Sequence, residues 1–128
     1  MLKTPIGYIE LMGLTWSTYS VQGAHVLELV GQLTRMNVLL LEPQLAKLLN
    51  RTGSILVIDL AKVDTCDRAG VAMLEAGHRA SAVAGVDLRL AAPSVPAGRA
   101  LHSAGLLAVM PVFDTVDAAA RGDVLGLL

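Results

Sequence analysis

The sequence predicts an α/β fold built on a mixed sheet, and three observations lead there. Two adjacent runs, Thr15–Val21 and His25–Leu33, are rich in β-forming residues and are separated by a Gln22-Gly23 turn, as the arms of a hairpin are. After residue 34, short apolar runs alternate with stretches of helical period, the order expected when strands are joined by crossover helices. Aromatic residues make up 3% of a chain that is 54% hydrophobic, so the core must be built from Leu, Val, Ile, Ala and Met. That composition suits layered helix-on-sheet packing. The 128 residues fit one domain, of a size at which folding buries roughly two-thirds of the unfolded chain's surface.

Residues 1–14 are apolar but punctuated by Gly7 and Gly13, and three readings stay open: a docking arm, an edge strand, or a partly disordered segment. In the second hairpin arm Val26, Glu28 and Val30 fall on one side, and Leu27, Leu29 and Leu33 nearer the other. Thr34 and Asn37 are both residue types favoured at helix N-caps. Leu41, Leu45, Leu48 and Leu49 then mark one helical face. Pro43 fits that helix only in its first turn or at a kink, because it has no N–H to donate. Ile55-Leu56-Val57-Ile58 is a continuous apolar run, expected of a strand covered on both faces. Lys62 to Ala69 is read as a polar loop, followed by a helix from Gly70 to about Val83 that Ala84-Gly85 closes. Leu88-Arg89-Leu90 is the next core strand. Ser94 to Ser103 is a helix stopped by Gly105, and Val112-Phe113 a last short strand. Asp114 or Thr115 is placed to cap a terminal helix ending at Arg121. No repeat or linker divides the chain, so the reading is an arm over 1–14 and one domain over 15–128.

Several function classes are disfavoured. Ten Lys and Arg against eleven Asp and Glu leave a formal charge of −1, with no basic stripe and few aromatic platforms, which argues against nucleic acid. The greasiest stretch, Val38 to Leu49, is interrupted by Glu42, Pro43, Gln44 and Lys47 and is too short to insert in a membrane. The start of the chain lacks the pattern of a signal peptide, so a cytoplasmic location is expected. His25, His78 and His102 are widely spaced and form no metal-ligand pattern. Ser54, Ser81, Ser94 and Ser103 lack a nucleophile context, and no phosphate-cradling glycine loop is present. No cofactor, no metal and no turnover are expected. Asp59, Asp64 and Asp67 read better as strand ends and helix caps than as a catalytic carboxylate cluster.

The informative segment is Asp64-Thr65-Cys66-Asp67-Arg68-Ala69-Gly70, which links a buried strand to a helix. Loops at the carboxyl end of such strands are where α/β proteins place binding sites. A helix start there offers unpaired N–H groups and partial positive charge, and Asp67 is placed to cap them. Cys66 is read as a small buried hydrophobe in preference to a redox switch. Arg68 has no local partner in the sequence and is read either as a solvated residue or as a contact to an acidic partner surface.

These segments together resemble the STAS family, the sulfate transporter and anti-sigma factor antagonist domains, from about Trp16 to Arg121. Gly31-Gln32-Leu33-Thr34 resembles the family's Gly-Glu-Leu-Asp turn. Ile55-Leu56-Val57-Ile58-Asp59-Leu60 resembles its central strand, and Asp67-Arg68-Ala69-Gly70 its Asp-Ser-Ser-Gly loop. Ala84 to Leu90 with Pro93-Ser94, then Leu101 with Gly105-Leu106, complete the series in order. The resemblance implies a mixed four- to five-stranded sheet with helices mainly on one face. It also implies a non-enzymatic regulator of transcription in bacteria, an antagonist that binds a kinase-like anti-sigma factor or related switch kinase. In the family that kinase phosphorylates the serine just before the loop glycine. Ala69 occupies that position here and cannot be phosphorylated, while Gln32 and Thr34 replace both acids of the earlier turn. The partner-binding residues implied are Thr34, Asp64, Asp67, Arg68, Ala69 and Gly70. Two alternatives remain: an accessory subunit of an ABC-type membrane transporter, and a small-ligand or nucleotide sensor. Whether the chain also forms a homodimer is left open.

Overall fold

A computed structural model describes residues 4–9, 13–50 and 53–128. Its six strands form one sheet in sequence order: β1 (Thr4–Ile9), β2 (Leu14–Val21), β3 (Ala24–Leu33), β4 (Ile55–Cys66), β5 (Asp87–Ala91) and β6 (Val112–Phe113). The first three pair antiparallel and the last four parallel, with β3 belonging to both sets. The expected mixed α/β sheet is therefore the one observed. It reaches six strands because β1 lines one edge and the two-residue β6 the other.

The helices are α1 (Arg35–Leu48), α2 (Arg68–Ala84), α3 (Val95–Ser103) and α4 (Val116–Arg121). Each of the first three joins one parallel strand to the next in the same direction along the sheet. Right-handed crossovers then put all three on one face. Strand alternation supplies that face with Leu27, Leu29 and Leu33 from β3, Leu56, Ile58 and Leu60 from β4, and Leu88 and Leu90 from β5. Leu41 and Leu45 of α1, Val71 and Leu74 of α2, and Leu101 of α3 close over them. The opposite face carries Val26, Val57, Ala91 and Phe113 under Ala118, Ala119 and Ala120 of α4.

Local chemistry explains most element ends. Gly85, in the left-handed region at φ 74°, stops α2. Ser94 and Thr115 cap α3 and α4 through the N–H groups of Ala97 and Ala118. Gly31 has φ +112°, and a Cβ there would lie 2.0 Å from the Gly13 carbonyl oxygen, so only glycine lets β2 and β3 meet at that point.

One reading from the sequence needs correction. The segment Lys62 to Ala69 is not a loop. β4 continues through Cys66, paired with β3 across two register shifts, and α2 begins at Arg68. Its polar residues misled because the second half of β4 is largely exposed, where a strand needs a partner for its backbone but not an apolar face. Of the two places left open for Pro43, the first turn is excluded, because it lies well inside α1. With no N–H at residue 43, the Leu39 carbonyl, one turn earlier, loses its helical donor.

Candidate functional site

The carboxyl end of β4 turns directly into α2, and the turn is organised by one side chain. Asp67 holds extended backbone at the α2 N-cap and accepts from Gly70 N–H through Oδ1 at 2.9 Å. Its other oxygen, Oδ2, accepts from Arg35 N–H at 3.0 Å, at the start of α1. One carboxylate thus caps two helices. This explains why Thr34, which occupies the N-cap position of α1, makes no capping bond with its own hydroxyl. Asn37, the other candidate cap, is wholly buried inside the first turn, where its Nδ2 donates back to the Gln32 carbonyl. The backbone closes the arrangement, because Asp67 N–H donates to Leu33 O at 3.2 Å.

Electrostatics follow from this geometry. Partial desolvation pushes the Asp67 carboxyl up, but N–H donors from Gly70, Arg35 and Ala69 outweigh it and hold the group below its ordinary value. Two helix N-termini converge on this point, each carrying partial positive charge. The guanidinium groups of Arg35 and Arg68 add to it: both residues are exposed, and neither makes an ion pair among the described residues.

Gly70 is fixed by packing. A Cβ there would stand 2.3 Å from Leu33 O and 3.0 Å from Leu33 Cγ, so any side chain would lift α2 off the end of β3. Ala69 is half-buried and lines a shallow groove of about 220 Å³ between α1 and α2, with Val38, Glu42, Ala72, Met73 and Ala76. On the other flank of the turn, Cys66, Asp67, Arg68 and Val71 face Ala100, Ser103 and Ala104 across a second groove of about 280 Å³. Cys66 lies at this groove, half-buried where the sequence suggested full burial. Burial, with the Asp67 charge as a smaller contribution, pushes its thiol up to about 11.

The structure brings together Thr34, Asp67, Arg68, Ala69 and Gly70 at the paired starts of α1 and α2. Asp64 stands apart: it is exposed near the end of β4, and no hydrogen bond or ion pair among the described residues ties it to the cluster. The sequence did not point to Arg35, whose N–H is the second ligand of Asp67, nor to Leu33 as the floor under Gly70. No signal in the sequence announced either, because Thr34 already offered α1 a favoured cap of its own. Among the described residues no three His, Cys, Asp or Glu side chains converge so as to hold a metal ion, and no helix is long and apolar enough to cross a membrane.

The STAS domain profile matches residues 15–119. The chain belongs to the STAS family. No curated protein matches it by sequence, so the remaining comparisons are structural. The STAS chain described here is similar to an anti-sigma factor antagonist from Mycobacterium paratuberculosis, at a TM-score of 0.75 and 21% identity over 85% of this chain and 92% of that one. It is also similar to the anti-sigma factor antagonist SpoIIAA in its unphosphorylated form, at a TM-score of 0.66 and 19% identity over 88% of this chain and 98% of that one. At these identities the likeness is one of fold.

Proposed function

We propose that this STAS protein is a non-enzymatic regulator that binds a kinase-like anti-sigma factor through the start of α2, in the cytoplasm, and is not switched by phosphorylation at the usual site. One observation carries the reading. The turn at the start of α2 is pinned by the double cap of Asp67, and Ala69, which stands where the resemblance puts the phosphoacceptor, faces a groove. The fold of two anti-sigma factor antagonists supports the same reading. Thr34, Asp67, Arg68, Ala69 and Gly70 form the contact surface, with Asp64 at its margin. Arg68, exposed and without an ion pair among the described residues, offers a cation to an acidic partner surface. Residues 15–128 act as the domain, to which Thr4–Ile9 add the edge strand β1 and Leu14 the first residue of β2.

Ala69→Asp separates folding from recognition. A carboxylate in the first turn of a helix is favoured by about 0.3–1 kcal/mol, so the variant is expected to melt within a few degrees of the parent. A charge desolvated against a partner without a matching cation costs several kcal/mol, so binding should fall by at least 100-fold. Ala69→Ser should fold and bind like the parent. The measurement is calorimetric titration of parent and both variants with a kinase-like anti-sigma factor. Equal affinity of Ala69→Asp and parent would remove the start of α2 as the recognition surface.

A further inference from the structure

The core contacts of α1 use only one side of it, yet its outer side also carries large apolar residues. Asn37, Leu41 and Leu45 face the sheet and are buried. On the outer side Met36 is 66% exposed, Leu39 72% and Leu40 43%, and Pro43 is exposed one turn further on. Their spacing of i, i+3, i+4 and i+7 makes a continuous stripe two turns long. Scattered exposed apolar residues are ordinary, but a stripe at helical pitch is the pattern of a helix covered on both sides.

The charges beside the stripe indicate what covers it. Arg35 and Glu42 lie seven residues apart, two turns, on the same flank, and neither makes an ion pair among the described residues. A second α1 packed antiparallel along the stripe brings Arg35 of each copy against Glu42 of the other. The stripe is thus complementary to itself in both shape class and charge, as an isologous two-fold contact requires. We propose that the outer face of α1 is a self-association surface, on which two copies of this chain pair α1 against α1 through Met36, Leu39, Leu40 and Pro43, with reciprocal Arg35–Glu42 ion pairs. This goes beyond the binding role of the α2 start and does not depend on it.

A stable interface buries roughly 1,200–2,000 Å² in total, and one pair of two-turn stripes falls at or below that range. The dimer is therefore a weak one, with a dissociation constant on the order of 10 μM. Sedimentation velocity of the full chain across about 1–500 μM, a range chosen to bracket that value, reads it directly. The parent should pass from monomer to dimer. Leu39→Glu should weaken association by at least 10-fold while circular dichroism stays that of the parent, since the side chain it replaces is solvated. Arg35→Glu and Glu42→Arg should each weaken it several-fold by setting like charges together, and the double variant should recover most of the loss. A parent that stays monomeric throughout overturns the proposal, even if Leu39→Glu then reduces binding of an anti-sigma factor, which would assign the stripe to that partner. A double variant no better than either single one overturns the antiparallel pairing.

Discussion

Removing the carboxylate of Asp67 should cost more than removing an ordinary helix cap, because two helices lose a ligand at once. A single N-cap replaced by alanine costs about 0.5–2 kcal/mol. Here Gly70 N–H at 2.9 Å and Arg35 N–H at 3.0 Å both go unanswered in Asp67→Ala, although water reaches the half-exposed site and compensates in part. The expected loss is about 1.5–3 kcal/mol, the sum of one full and one attenuated cap. For a domain of this size that corresponds to a melting temperature roughly 5–12 °C lower. Asp67→Asn is the sharper probe. Gly70 and Arg35 bond to different oxygens of Asp67, and the amide turns one of those oxygens into an NH2 donor, so at the parent geometry only one of the two N–H groups keeps its acceptor. Its loss should fall about midway between parent and Asp67→Ala.

The pH dependence has a fixed sign. The folded-state carboxyl titrates below its unfolded value of about 3.9. Its contribution is therefore fully present above that value and is lost as pH falls through the lower, folded-state value. Urea denaturation of the three proteins at pH 7 and near pH 3 should show the gap between parent and Asp67→Ala narrowing in acid. If Asp67→Asn is as stable as the parent, the bond to Arg35 contributes nothing. If Asp67→Ala shows no loss at pH 7, the double cap is not a stabilising element.

Gly70→Ala should destabilise by about 1–3 kcal/mol in urea titration, because overpacking against Leu33 exceeds the roughly 1 kcal/mol that alanine gains in a helix; a more stable variant would show that α2 can move away from β3 freely. Pro43→Ala should stabilise by about 1–2 kcal/mol, since it restores a donor to the Leu39 carbonyl and gives back only part of that through a looser unfolded chain; a lower melting temperature would contradict this. Cys66, with its thiol raised from 9.0 to about 11, should hold about 100-fold less thiolate near neutral pH than an unperturbed cysteine and label correspondingly slowly with a thiol reagent. Native-state labelling as fast as in urea would refute the partial burial seen beside Asp67.

Much of this architecture was legible because it depends on local signals. Gln22-Gly23, Gly85, Ser94, Gly105 and Thr115 each mark an element end by their own backbone or side-chain chemistry, and the strands they bound alternate visibly. What escaped was set by contacts between distant segments. β4 runs on to Cys66 because β3 lies alongside it, and nothing in Lys62-Val63-Asp64-Thr65 announces that partner. Pro43 is tolerated in mid-helix because Leu41 and Leu45 anchor α1 to the sheet on either side of it. The candidate site divides the same way. Asp67 as the cap of α2 could be read from three residues of sequence, whereas its second bond joins residues 32 positions apart.

That second bond also constrains how the site can be dissected. Asp67 is at once the residue that orders the turn and a residue of the proposed contact surface, so a binding defect in an Asp67 variant cannot be assigned to recognition alone. Arg68 and Ala69 are free of this ambiguity. Arg68 is exposed and its side chain makes no ion pair among the described residues, and Ala69 offers its methyl group to a groove and its N–H to Asp67, a bond that any residue but proline preserves. Changes at these two positions alter the charge and shape presented beside two helix starts while leaving the cap in place. A hydroxyl or a methyl group at Ala69 is therefore interchangeable without cost to the fold. The surface beside the two helix starts keeps its form through such changes, because the turn is held by the carboxylate of Asp67 and the close packing of Gly70 and not by the side chains between them.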